Sequence, residues 1–138
     1  MSELPRHALI IDKDLVSLRY LADALSTFQP GFQVSTTTDL ERAARWSAIA
    51  PPDIVVVGLE SFGGDELEHW SIENGIDPLS IIGMSDGSAH QTFVHTVVQR
   101  PISLPDFLGA VHGAMTVTHG NDSTIHPRTT QTIGDRTT

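Results

Sequence analysis

The chain has 138 residues, 39% of them hydrophobic and 18% charged, which fits one globular domain. A chain of this length buries about two thirds of its unfolded surface on folding, enough for a real core. Its net charge of −9, from 17 acidic and 8 basic side chains, repels phosphate backbones and argues against direct nucleic-acid binding, since no basic patch offsets it. There is no cysteine, which excludes disulfides, thiol catalysis and zinc-thiolate sites. The opening "MSELPRHALIID" lacks the charged-then-apolar design of a signal peptide, and no stretch approaches the ~18 apolar residues of a membrane span. A cytoplasmic protein with no membrane partner is the expectation.

Residues 8–11, "ALII", form a short apolar run ending at Asp12, the pattern of a strand buried on both faces. From Asp14 the period changes: Leu15, Leu18, Leu21, Leu25 and Phe28 form one stripe of a helix. "QPG" at 29–31 closes it, and "FQVST" is a second strand. Thr38 with Glu41 reads as a capping box for a helix through "LERAARWSAIA", which Pro51 and Pro52 end. "DIVVVGL" is the third strand. A Gly63-Gly64 loop and a short helix "DELEHWSIE" follow, with Asp65 expected as its cap.

"SIIGM" is the fourth strand, followed by a weak helix around residues 87–94, and "TVVQ" is the fifth. Ser103 caps a last helix, "LPDFLGAVHGAM", whose Pro105 is tolerated in the first turn. Strand and helix alternate five times, which calls for a (βα)5 doubly wound parallel sheet of five strands. The domain is expected over residues 1–115. Residues 116–138 are Thr-rich with almost no apolar periodicity, and read as a disordered tail or linker.

In such a sheet, ligands bind beyond the carboxyl ends of the strands. Those ends carry Asp12, Lys13 and Asp14, then Gly58, Ser85, and Arg100 with Pro101. Together, "ALIIDKD", "PPDIVVVGL", "SIIGMSDG" and "VVQRPIS" resemble the receiver domain of bacterial response regulators, the CheY-like family, over residues 6–115. The resemblance implies an acceptor aspartate ending the third strand and acidic first-strand residues holding magnesium. It also implies a fourth-strand hydroxyl and a lysine before the proline that bind phosphoryl oxygens.

Asp12 and Ser85 match this pattern. Gly58 stands where the resemblance puts the acceptor, Lys13 replaces a metal-binding carboxylate, and Arg100 replaces the lysine. Glycine has no nucleophile, and an ammonium beside Asp12 opposes a divalent cation. Lys13, the one lysine in the chain, or Arg100 is therefore expected to neutralise Asp12 in place of metal. Val97 stands where receivers carry a switching aromatic. Asp14 and Asp53 read as helix-start and turn residues, Glu60 as an outward-facing side chain rather than a phosphoryl mimic, and the seven histidines as scattered surface residues.

The resulting expectation is a pseudo-receiver in two-component phosphorelay signalling: no enzyme, no cofactor and no metal, a protein-interaction or homodimerisation module with a signalling partner. By resemblance its contact face includes Thr92, Phe93, Val97, Gln99, Phe107 and Val111, some of which must be core. The alternatives are a small-anion or nucleotide binder using space vacated at Gly58, a flavodoxin-like enzyme, disfavoured because "DKDLVSL" lacks a phosphate cradle, and the regulatory half of a longer regulator.

Overall fold

Successive side chains of a strand point to opposite faces, and in "RHALII" and "IVVVG" both faces are apolar, so both must be covered. The computed structural model, which describes residues 6–87 and 94–120, shows how. Strands β1 (Arg6–Ile11), β2 (Phe32–Thr37), β3 (Ile54–Gly58), β4 (Ile81–Ser85) and β5 (Thr96–Gln99) form one parallel sheet in the order β2-β1-β3-β4-β5. Between them run α1 (Leu15–Phe28), α2 (Leu40–Ile49) and α3 (Gly64–Glu73), with short 3-10 turns at Leu59–Ser61 and Pro78–Ser80, and α4 (Leu104–Gly120) follows β5. This is the CheY-like, flavodoxin-like architecture. The expected helix around residues 87–94 falls mostly on 88–93, outside the described residues, as do Thr92 and Phe93.

Strand alternation divides the core in two. Ala8, Ile10, Ile54, Val56, Ile82 and Met84 face α1 and α4, and meet Leu18, Leu21, Leu25 and Phe107 there. Leu9, Ile11, Val55, Val57 and Ile81 face α2 and α3, and meet Leu40, Ala43, Leu67 and Trp70. Each fully buried side chain of this size stabilises the fold by about 1.5–3 kcal/mol. Trp70 keeps its polar atom satisfied by donating Nε1–H to the Leu40 carbonyl at 2.9 Å.

The helix starts refine the expected caps. Asp14 caps α1 as its position predicted, accepting from Val16 N at 3.1 Å. The α2 cap is Asp39 rather than Thr38: its carboxylate accepts from Arg42 N at 2.7 Å. Gly63 precedes α3 with no side-chain cap, and Asp65 sits in the first turn, where its charge favours the helix dipole. Ser103 caps α4, accepting from Asp106 N at 3.2 Å. That helix continues through residues 116–120, past the boundary that composition placed at 115, because extending a formed helix costs far less than starting one.

Two expected contact residues belong to the core instead. Phe107 is fully buried and Val111 nearly so, since both lie on the α4 stripe that faces the sheet. Val97 and Gln99 are exposed on β5. His7 is also interior rather than surface: Nδ1–H donates to the Ala50 carbonyl at 2.6 Å, and Nε2 lies 2.8 Å from Ser35 Oγ. It ties β1 to β2 and to the end of α2.

Urea unfolding separates core from surface. Phe107→Ala is expected to lose about 3–5 kcal/mol, and Val97→Ala, 49% exposed, about 0.5 kcal/mol or less. Equal losses would contradict this division of the face.

Candidate functional site

β1 and β3 pair at the centre of the sheet, so their carboxyl ends bring residue 12 beside residue 58. Asp12 is buried, at 1% exposure. A carboxylate taken out of water needs charge and hydrogen bonds to replace its hydration. It has both: Arg100 Nη2 donates to Oδ2 at 2.8 Å, while Ser61 Oγ and Asp14 N donate to Oδ1 at 3.1 and 3.0 Å.

Gly58 lies against this carboxylate. A Cβ at position 58 would come within 2.7 Å of Asp12 Cγ, closer than side chains approach one another. The space that an acceptor side chain would need is therefore filled by Asp12. The space directly against Gly58, which the anion-binding alternative would use, is occupied by the Asp12 carboxylate.

Arg100 is the hub. It follows β5, and its own amide donates to the Ser85 carbonyl at 2.8 Å, which fixes where the side chain starts. The guanidinium then spans three elements: Nη2 to Asp12, Nη1 to Ser17 Oγ at 3.1 Å on α1, and Nε to Glu60 Oε1 at 3.5 Å. Only a planar, multi-donor fork reaches all three, so lysine would not substitute for it. Burial disfavours its charge, yet hydrogen bonds and attraction from Asp12 and Glu60 outweigh that and raise its pKa above the ordinary arginine value. The following peptide bond, Arg100–Pro101, is cis, and Pro101 is exposed.

Of the two cations expected to neutralise Asp12, Arg100 does so and Lys13 does not. Lys13 is exposed, with Nζ 5.4 Å from the centre of the Phe62 ring. Such a contact contributes about 0.5–1 kcal/mol at an exposed site. Asp14 is exposed and points into its own helix cap. A hydrogen bond from Ser17 Oγ, then one from Val16 N, hold its carboxyl below the usual carboxylate range.

Glu60 departs from expectation in its contacts. The residue is exposed, as expected, yet its carboxylate folds back onto the strand ends: Oε2 accepts from Ser85 Oγ at 2.7 Å and from Asp86 N at 2.9 Å. Ser17, Ser61 and Glu60 thus join the site, and none was singled out from sequence as a pocket residue. Ser17 had a faint signal, three residues after a helix cap.

The donor set does not fit a magnesium ion. Both Asp12 oxygens are committed to Arg100, Ser61 and Asp14 N, Gly58 offers no oxygen side chain, and Lys13 adds a positive charge. Among the described residues, no group of three histidine or carboxylate side chains is placed to hold a metal. The depression above the site is lined by four carboxylates, Asp12, Asp14, Glu60 and Asp86, against Lys13 and Arg100.

No family model matches the sequence, and neither does any curated protein. The fold matches solved structures of receiver domains. A signal receiver domain of an HD domain-containing protein from Pseudomonas fluorescens Pf-5 aligns with a TM-score of 0.72 at 15% identity, covering 91% of this chain and 97% of that one. A two-component transcriptional regulator AraC from Clostridium phytofermentans aligns at 0.67 with 17% identity, covering 86% and 99%. The anti-anti-sigma factor PhyR from Bartonella quintana aligns at 0.63 with 14% identity, covering 87% of this chain and 52% of that one. At these identities the likeness establishes the receiver fold.

Removing one partner of a buried pair strands the other charge. Arg100→Met is expected to cost about 3 kcal/mol by urea unfolding, and Lys13→Met under about 0.5 kcal/mol; the reverse order would reassign the neutralising cation. Gly58→Ala is expected to lose about 1–3 kcal/mol through crowding of Asp12, with the loss reduced in an Asp12→Ala background. Magnesium titration followed by amide chemical shifts is expected to show no saturable response at physiological concentration.

Proposed function

We propose that this chain is a receiver-like signalling module that works without phosphorylation, through contact with a signalling protein or with a second copy of itself. One observation carries this reading: at the strand ends where a receiver would run its chemistry, the buried Asp12 carboxylate is already paired with Arg100. Gly58 supplies no nucleophile, the adjoining space holds the Asp12 carboxylate, and Arg100 sits on that carboxylate where a divalent cation would be needed. A phosphoryl transfer without acceptor or metal has neither its bond-forming atom nor its charge neutralisation.

Several neighbours are named as response-regulator receivers and one as an anti-anti-sigma factor, and these names support a signalling role over a metabolic one. A non-enzymatic role agrees with a pocket whose polar side chains bind one another. The surplus of carboxylates around the depression works against the anion or nucleotide reading, because a phosphate would meet net negative charge there. For protein contact, Val97 and Gln99 leave an exposed stripe on β5, an edge strand of the sheet.

Incubation with acetyl phosphate followed by intact-mass measurement tests the first half. The expected result is no mass increase, and a stable phosphoryl adduct on an aspartate would overturn the proposal. For the second half, Val97→Arg is expected to leave the melting temperature unchanged and to weaken self-association or capture of a partner.

A further inference from the structure

We propose that the Glu60 carboxylate is the resident anion of this pocket: it fills a donor-lined seat that a free anion would otherwise take, and holds the ends of β3, β4 and β5 in one arrangement. This deepens the phosphorylation-independent function and rests on it.

The placement begins with packing. After β3 the chain makes a 3-10 turn, Leu59–Ser61, whose first residue is buried. Leu59 fits because β4 presents Gly83 beneath it, where a Cβ would lie 2.7 Å from Leu59 Cδ1. With Leu59 pinned against β4 and Ser61 Oγ donating to Asp12, the residue between them is directed over the end of β4. That residue is Glu60.

Three donors from two other elements converge on it. The Ser85 hydroxyl and the Asp86 backbone N–H reach Oε2, and the Arg100 Nε–H approaches Oε1. Ser85 Oγ accepts from Gly87 N at 3.0 Å, which turns its own hydrogen toward Glu60. Hydroxyl, amide and guanidinium are the donors that recognise a carboxylate or another oxyanion. Arg100 also links the seat to Asp12, so both carboxylates share one cation.

A tethered carboxylate needs no association from solution, so the entropy of capturing a free ion is avoided. It also brings a single negative charge, which the acidic surroundings tolerate better than a phosphate dianion. The arrangement that a signalling partner meets is then set by the sequence rather than by an incoming group.

Chemical rescue tests this, with backbone amide exchange of Asp86 and Gly87 read by NMR on the full chain. In Glu60→Ala, exchange at Asp86 is expected to quicken by about tenfold or more, as a hydrogen bond that fastens the loop is lost. Sodium acetate at about 100 mM is expected to restore protection, while sodium chloride at equal ionic strength is not. Wild type is expected to respond to neither salt.

Unchanged Asp86 exchange in Glu60→Ala, or an equal acetate response in wild type, would overturn the assignment. Glu60→Gln covers the case in which the alanine variant fails to fold. It keeps the shape and one acceptor, so intermediate exchange without acetate response is expected, and full acetate rescue there would count against the proposal. Phosphorylation of an aspartate would overturn the function proposed above and leave this result readable, whereas failure of rescue overturns the Glu60 assignment alone.

Discussion

A buried carboxylate has to be neutralised, and at the end of β1 that requirement falls on one arginine. Asp12 is held by Arg100 at 2.8 Å, and the same guanidinium reaches α1 through Ser17 and the turn after β3 through Glu60. Attraction between close, poorly hydrated charges is large only when both partners stay fixed. The fold fixes them: Asp12 follows a strand that is buried from His7 to Ile11, and the Arg100 backbone is bonded to the end of β4. The carboxyl edge of the sheet is thereby closed by side chains from β1, α1, the 3-10 turn, β4 and the residue after β5.

Gly58 and Gly83 have complementary parts in this closure. The first lets the Asp12 carboxylate lie against the end of β3, and the second lets Leu59 sink against β4 and aim the turn. Neither has a positive φ, so the constraint is close approach rather than backbone conformation. A side chain at either position would push on a group already committed to its neighbours. The pocket is therefore specified as much by two missing Cβ atoms as by its charged residues.

The architecture was legible because each element announces itself locally. Continuous "ALII" and "DIVVV" runs, the α1 stripe and the proline and glycine breaks mark the strands and the helices that join them among the described residues. The site was legible only in part. Sequence placed Asp12, Gly58, Ser85 and Arg100 at the strand ends, yet could not choose between Lys13 and Arg100 as the counter-charge, since that depends on which reaches inward. Glu60 is exposed as expected, but the 3-10 turn carries its carboxylate over the sheet edge to Ser85 and Asp86, contacts that no local pattern shows. Phe107 and Val111 teach the opposite lesson: four residues apart on α4, both face the sheet, whereas the surface borrowed from family resemblance included them. His7 was missed for lack of any pattern, as its two partners come from elements 28 and 43 residues away.

Pairing of the buried carboxylate with an internal cation has a measurable signature in the coupling between Asp12 and Arg100. A double-mutant cycle by urea unfolding, built from Asp12→Ala, Arg100→Ala and the combined variant, reads that coupling free of other contacts. The expected value is about 2 kcal/mol or more, unaltered by magnesium. A coupling below about 0.5 kcal/mol, or one that magnesium abolishes, would contradict Arg100 as the counter-charge of Asp12.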